Sequence, residues 1–337
     1  MNKTKIAING FGRIGRIFFR QAFGNPNIEI VAINDLGAPA NLVYLLKYDT
    51  VYRRYDKTVE LAGNKMIVEG KEISLLQEKD PTKLPWKDMD IDIVIESTGV
   101  FDSRDKAAVH LDAGAKRVVI TAPAKDEVTP TATPNVGIDT LSKDQITSNA
   151  SCTTNATMPV VSVLMANPGI KKAILNTVHA YTSLQGLVDM PDKRDKFARG
   201  RAGALNIVPY LTGAATSTVK IVPALNNKFD GIALRVPVAS GSIIDFTFLA
   251  EKPTSVEEIN EIFKKASQEP QWQGILAVTE EPLVSSDILG QPHGSIVDLS
   301  MTRVVDGDLV KVLAWYDNEW GYCAMLLKHV FAVAQLL

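Results

Sequence analysis

Two residues in this chain have the types and spacing for covalent chemistry on a carbonyl carbon. One is Cys152, inside Ser151-Cys152-Thr153-Thr154-Asn155; the other is His179, inside Thr177-Val178-His179-Ala180-Tyr181-Thr182. A free thiol is mostly protonated near neutral pH and needs help to become a nucleophile. A helix N-terminus and a nearby imidazole both lower its pKa. Hydroxyls and small side chains surround the thiol, and the helix-like run Met158 to Ala166 follows, with Pro159 suited to an early helical position. Taken singly, Cys152 could be a small buried residue and His179 a satisfied core histidine. Their company favours catalysis.

A second constellation lies near the N-terminus. Gly10-Phe11-Gly12-Arg13-Ile14-Gly15 fits G-x-G-x-x-G directly after an expected strand and at the opening of a helix. Such glycines permit a tight turn and close approach of backbone to a pyrophosphate at the helix N-terminus. Asp35 follows at the end of the next strand, about 20 residues on, where a carboxylate can hold a ribose 2′-hydroxyl. A 2′-phosphate there would meet like charge, so the expected cofactor is NAD rather than NADP. Ser97, Thr98 and Gly99, with Thr121, end later strands on the same ligand-binding edge.

The elements that must position these groups alternate in the first half. Lys5 to Asn9, Ile28 to Asn34, Ile91 to Glu96 and Arg117 to Thr121 read as strands; Arg16 to Phe23, Asn41 to Tyr48 and Arg104 to Ala113 read as helices. That alternation implies an α/β, doubly wound parallel sheet. Tyr52 to Ser74 reads as added antiparallel strands. After Cys152, strands around Ala173 to His179, Gly231 to Val238, Ser242 to Ala250, Ile296 to Asp298 and Leu309 to Tyr316, with a helix at Val256 to Gln268, imply an α+β domain with a mainly antiparallel sheet. Ser183 to Ala204 is a long aperiodic segment of the kind that serves function or subunit contacts. The expected division is 1–151 and 152–317, with a C-terminal helix, 318–337, packing back on the first domain.

Bulk properties exclude several classes. The 337 residues carry a net charge of −2 with 46% hydrophobic residues, and Lys and Arg are scattered, so nothing calls for nucleic acid. The most apolar stretch, Met325 to Leu337, is interrupted by Lys328 and His329 and is too short to span a membrane. Two cysteines cannot build a disulfide framework, which implies a reducing, cytoplasmic setting. Met1 to Ala7 lacks the apolar core of a secretion signal. His110 and His293 have no partners at metal-ligand spacing, and no metal is expected.

Read together, these motifs make the chain resemble the phosphorylating glyceraldehyde-3-phosphate dehydrogenases. The resemblance extends from Ile6 to the C-terminal helix. It rests on Ile8 to Arg16, Lys47-Tyr48-Asp49, Ser148-Asn149-Ala150 with the cysteine segment, Thr212-Gly213-Ala214-Ala215, Arg235-Val236-Pro237 and Trp315 to Tyr322. It implies a homotetramer of chains with a Rossmann domain and a catalytic domain. It also implies Cys152 as nucleophile and His179 as base, with NAD and inorganic phosphate as co-substrates. Ser151, Thr153, Thr212 and Gly213 would bind the attacking phosphate. Thr182, Arg199 and Arg235 would bind or flank the substrate's own phosphate. Arg13, Ile14, Asp35, Lys79, Thr121 and Asn318 would contact NAD, with Tyr322 near its ring. Met190-Pro191 stands where NAD-using members carry Leu-Pro. Three positions depart from the pattern: Ala156 replaces a second cysteine, Leu184 replaces a hydroxyl or carboxylate, and Asn135-Val136-Gly137 replaces Gly-Val-Asn.

Alternatives of other kinds remain. Leu184 raises a four-carbon substrate, erythrose 4-phosphate. A semialdehyde dehydrogenase shares the thiol–imidazole logic but lacks the Trp315 to Tyr322 motif. A non-catalytic redox or binding protein could keep a reactive thiol.

Overall fold

The computed structural model describes residues 3–192 and 197–337. Residues 193–196, inside the long aperiodic segment, and residues 1–2 lie outside the described residues. Backbone contacts divide the chain into Met1–Ala150 with Leu326–Leu337, and Ser151–Met325.

The first unit is built on an eight-stranded sheet. In spatial order its strands are Ile146–Ser148, Arg117–Ile120, Ile93–Glu96, Thr4–Asn9, Ile28–Asn34, Lys71–Leu76, Lys65–Val68 and Val59–Ala62. The pairings from Ile146–Ser148 through Lys71–Leu76 are parallel; the last two strands add on antiparallel. Parallel strands are covered on both faces, hence their near-continuous apolar runs. Ile93–Glu96 and Arg117–Ile120 are buried at every position. The first helix is Arg13–Ala22, three residues earlier than expected, because Gly12 at φ −70° and ψ −158° is its extended N-cap. The glycine turn therefore opens directly onto helical N–H groups. The expected helix at Arg104 to Ala113 forms as two short pieces, Arg104–Ala107 and Val109–Asp112.

The second unit is a seven-stranded sheet in the order Val208–Leu211, Phe229–Val236, Ile170–Ala180, Ser242–Ala250, Leu309–Tyr316, Ser295–Val305 and Leu276–Thr279. The pairings of Ile170–Ala180 with Phe229–Val236 and of Leu276–Thr279 with Ser295–Val305 are parallel; the other four are antiparallel. Ser242–Ala250 alternates buried and partly exposed residues along its length, the signature of a strand with one face on a core. Ser295–Val305 runs far beyond the expected Ile296 to Asp298, its register broken between Asp298 and Arg303.

The helix after Ala150 corrects the sequence reading most. It spans Cys152–Ala166 rather than starting near Met158, and Pro159 lies in its interior. Thr153, Thr154, Asn155 and Thr157 have poor helical propensity, but all are buried, and packing overrides propensity here. Pro159 lacks the N–H that would have met the Asn155 carbonyl, and its ring crowds that carbonyl, a cost the buried packing of the helix offsets.

Candidate active site

Cys152 is the first helical residue, and Ser151 caps the helix. The Ser151 hydroxyl oxygen accepts the Thr154 backbone N–H at 3.0 Å and lies 2.8 Å from the Thr154 hydroxyl. First-turn N–H groups, including that of Cys152, have no intrahelical acceptor and carry the positive end of the helix dipole. The Cys152 sulfur thus sits where negative charge is stabilised.

His179 approaches from the end of the strand Ile170–Ala180, and its Nε2 is 3.3 Å from Cys152 Sγ. Strand register supplies its other neighbour, since His179 stands opposite Arg235 in the parallel pairing. Arg235 Nη1 is 2.6 Å from His179 Nδ1 and donates to the Ala180 carbonyl at 2.9 Å, while Nδ1 is itself 2.7 Å from that carbonyl. These two partners require opposite tautomers. The carbonyl requires a proton on Nδ1, leaving the Nε2 lone pair for the thiol; the guanidinium, which only donates, requires a lone pair on Nδ1.

Burial pushes the Cys152 thiol above its ordinary pKa, opposed by the Arg235 charge and by hydrogen bonds from Thr153. Burial, then Arg235, push His179 down to about 3. Each group alone therefore rests neutral. Moving the proton from Sγ to Nε2 creates an ion pair worth roughly 5 kcal/mol at this separation and an effective dielectric of ~20. That attraction opposes the burial penalty, so the two groups titrate as a pair.

Tyr316 completes the pair's surroundings. Its ring meets the His179 ring edge-on with centroids 6.0 Å apart, and its buried hydroxyl bridges Thr153 Oγ1 at 3.0 Å and Thr177 Oγ1 at 2.8 Å. Burial raises the Tyr316 hydroxyl, so it keeps its proton. Sequence reasoning assigns Tyr316 no role because its partners lie far away along the chain.

Thr182, Arg199 and Arg235 line one cleft with Leu184, Gln185, Val208 and Tyr210. Both guanidinium groups lie over the Tyr210 ring, 5.6 Å and 5.9 Å from its centroid. Arg199 also donates to the Tyr210 hydroxyl at 2.8 Å and pairs with Asp192 at 3.1 Å. Thr212 and Gly213 are not among the lining residues; they precede the helix Ala214–Ile221, where Thr212 Oγ1 accepts the Ala214 N–H at 3.1 Å. A larger groove, lined by Lys172, Ile174, Val219, Phe229 and Leu249 among others, contains none of the expected site residues.

In the first unit, the glycine turn fits a dinucleotide. Gly10 has φ +94°, and a Cβ there would come 2.7 Å from the Thr98 nitrogen; a Cβ on Gly15 would come 2.2 Å from the Gly10 oxygen. Gly12 and Gly99 face open space, so a diphosphate can reach the backbone there. Asp35 is fixed by accepting the Phe11 N–H at 2.6 Å and the Gly37 N–H at 2.8 Å. Ser97 Oγ donates to the Gly10 carbonyl at 2.7 Å, and Thr121 Oγ1 to the Glu96 carbonyl at 3.0 Å. Thr98 hydrogen-bonds the Glu96 carboxylate through its N–H and its hydroxyl. Arg13 is engaged by Asp49 at 2.5 Å, Ile14 lies in the first helical turn, and Lys79 is exposed.

Behind this turn runs a buried polar chain that sequence reasoning missed. Trp86 Nε1 donates to His110 Nδ1 at 3.2 Å, which leaves the proton on Nε2 for the Glu96 carboxylate at 3.0 Å. Asn9 Nδ2 donates to the same carboxylate at 2.6 Å. In the second unit, Asn318 Oδ1 accepts the Gly241 N–H at 3.1 Å and the Ser242 hydroxyl at 2.8 Å, and Tyr322 is buried. Among the described residues there is no cluster of three or more potential metal ligands, and no helix is long and apolar enough to cross a membrane.

A Rossmann-type sheet with a phosphate-ready glycine turn, and a helix-capped thiol facing an imidazole, are the equipment of a nicotinamide-dependent dehydrogenase acting on an aldehyde. Residues 4–104 match the family description "Glyceraldehyde 3-phosphate dehydrogenase, NAD binding domain", and residues 151–318 match its C-terminal domain. The chain is 46% identical over 335 residues to glyceraldehyde-3-phosphate dehydrogenase 2 of Bacillus subtilis, covering 98% of this chain and 97% of the relative. It is 50% identical over 322 residues to the Thermotoga maritima glyceraldehyde-3-phosphate dehydrogenase, covering 95% and 96%. The Geobacillus stearothermophilus enzyme of that name is 47% identical over 323 residues, covering 95% of each chain. The chain belongs to the glyceraldehyde 3-phosphate dehydrogenase family.

Proposed function

We propose that this chain oxidises glyceraldehyde 3-phosphate with NAD and inorganic phosphate to 1,3-bisphosphoglycerate, through covalent intermediates on Cys152. The observation that carries this reading is the 3.3 Å approach of His179 Nε2 to a thiol at a helix N-terminus. Cys152 Sγ attacks the aldehyde carbon and its proton passes to Nε2. The former carbonyl oxygen is stabilised by the Cys152 N–H, which aims at developing negative charge, and takes the proton back from Nε2 to become the hydroxyl of a thiohemiacetal. Nε2 then takes that hydroxyl proton as the carbon is oxidised to a thioester. NAD, when bound, supplies the acceptor for the hydride that leaves that carbon. Inorganic phosphate attacks the thioester carbonyl; the carbon–sulfur bond breaks, releasing the acyl phosphate and restoring the thiol. The covalent route conserves the oxidation energy that hydrolysis would dissipate.

Thr182, Arg199 and Arg235 hold the substrate's phosphate, with Arg forks matching its oxygens. Ser151, Thr153, Thr212 and Gly213 receive the attacking phosphate. Gly10, Gly12, Arg13, Ile14, Gly15, Asp35, Lys79, Ser97, Thr98, Gly99, Thr121, Asn318 and Tyr322 serve NAD. Exposed Phe197, Leu205, Ile207 and Leu211 support assembly into a homotetramer. Two free cysteines support a cytoplasmic location. Leu184, 57% exposed in the phosphate cleft, favours a second reading in which erythrose 4-phosphate is the better substrate.

The test is absorbance at the NADH band with purified protein, NAD and either aldehyde, with and without inorganic phosphate. Steady turnover requires phosphate, and Cys152→Ser abolishes it. Retained turnover in that variant contradicts the assignment, and preference for the four-carbon sugar selects the second reading.

A further inference from the structure

The cleft beside His179 contains one polar side chain whose hydrogen-bonding capacity is unspent. Gln185 Nε2 and Oε1 are both shielded from solvent, and neither has a hydrogen-bond partner. Folded proteins leave few such groups, because each forfeits its bonds to water with nothing in return. The backbone beneath the side chain is fixed, the Gln185 main-chain N–H donating to the Thr182 carbonyl at 2.9 Å, and Gly203 lies against the side chain. A Cβ on Gly203 would lie 3.1 Å from Nε2, so the absence of a side chain there gives the amide its room. The cations of the same cleft also have protein partners, Arg199 with Asp192 and Tyr210, Arg235 with His179 and the Ala180 carbonyl, so a phosphate between them still has oxygens for a further donor. Leu184, at the cleft's mouth, brings no donor.

We propose that Gln185 is a specificity-determining residue whose carboxamide binds the substrate in this cleft, its N–H donating to a phosphate oxygen and its carbonyl accepting a hydroxyl proton. Such a group selects a phosphate monoester of a small hydroxyaldehyde over the same aldehyde without phosphate. The assignment rests on the oxidation proposed above, and the two fail differently.

The experiment compares kcat/KM for glyceraldehyde 3-phosphate and for unphosphorylated glyceraldehyde in the wild-type protein, Gln185→Leu and Gln185→Glu, with thermal midpoints for all three. The preference for the phosphorylated aldehyde should fall roughly tenfold or more in the Leu variant, the loss of one bond to a charged group. It should fall further in the Glu variant, where carboxylate meets phosphate. The Leu midpoint should stay level or rise, since an unpaired buried amide has been removed. A preference within twofold of wild type in both variants overturns the assignment, as does a Leu midpoint several degrees lower, which makes the amide structural. A wild-type protein forming no NADH from either aldehyde strikes down the oxidation itself.

Discussion

Replacing His179 with Asn separates the two influences on the thiol. Burial raises the Cys152 pKa, whereas proton transfer to the imidazole 3.3 Å away offsets it. The attraction lost, roughly 5 kcal/mol at an effective dielectric of ~20, bounds the change at between three and four pKa units. Cys152 is only partly buried, and solvent screening keeps the expected rise below that bound. The sign follows from what remains: without an imidazolium, burial dominates, so the thiolate appears at higher pH. The assay is the rate of Cys152 alkylation by iodoacetamide across pH 5 to 10, alongside NADH formation. The midpoint should move up in the variant, and turnover should fall by about 10²–10⁴, the usual worth of a positioned base. A midpoint within about half a unit of wild type would refute the coupling, even if turnover were lost.

Asp35→Gly should weaken NAD about tenfold and narrow the preference over NADP, because it removes a fixed carboxylate; cofactor KM values check it, and an unchanged ratio counts against Asp35. Gly15→Ala should lower NAD affinity and the melting temperature together, since the new Cβ would sit 2.2 Å from the Gly10 oxygen; isothermal titration and calorimetry read both. Tyr316→Phe leaves the Thr153 and Thr177 hydroxyls without their bridge, and should cost roughly 1–3 kcal/mol, read by urea unfolding.

What was legible in the sequence depended on how local its cause was. The glycine turn announces itself because Gly10 and Gly15 are fixed by backbone conformation and contact within a few positions or across one strand end. The alternation of strands and helices in the first half follows from residue periodicity. The start of the Cys152 helix was hidden, since its first turn is made of poor helix formers held by burial, and Pro159 suggested a later beginning. Tyr316 was hidden for another reason: its hydroxyl partners lie 163 and 139 positions away. Shorter separations, 24 and 14 positions, concealed the Trp86, His110 and Glu96 chain, whose members look like ordinary core residues until three segments converge. Gln185 carried no signal at all, because an unpaired amide is a property of packing.

Arg235 is shared between His179 and the cleft lined by Thr182, Arg199 and Tyr210, so the two do not vary independently. The guanidinium meets the imidazole at Nδ1 and, after burial, depresses its basicity. The same guanidinium donates to the Ala180 carbonyl and lines the cleft with Thr182 and Tyr210. A substitution at position 235 therefore perturbs the neighbouring imidazole and the cleft wall in a single stroke.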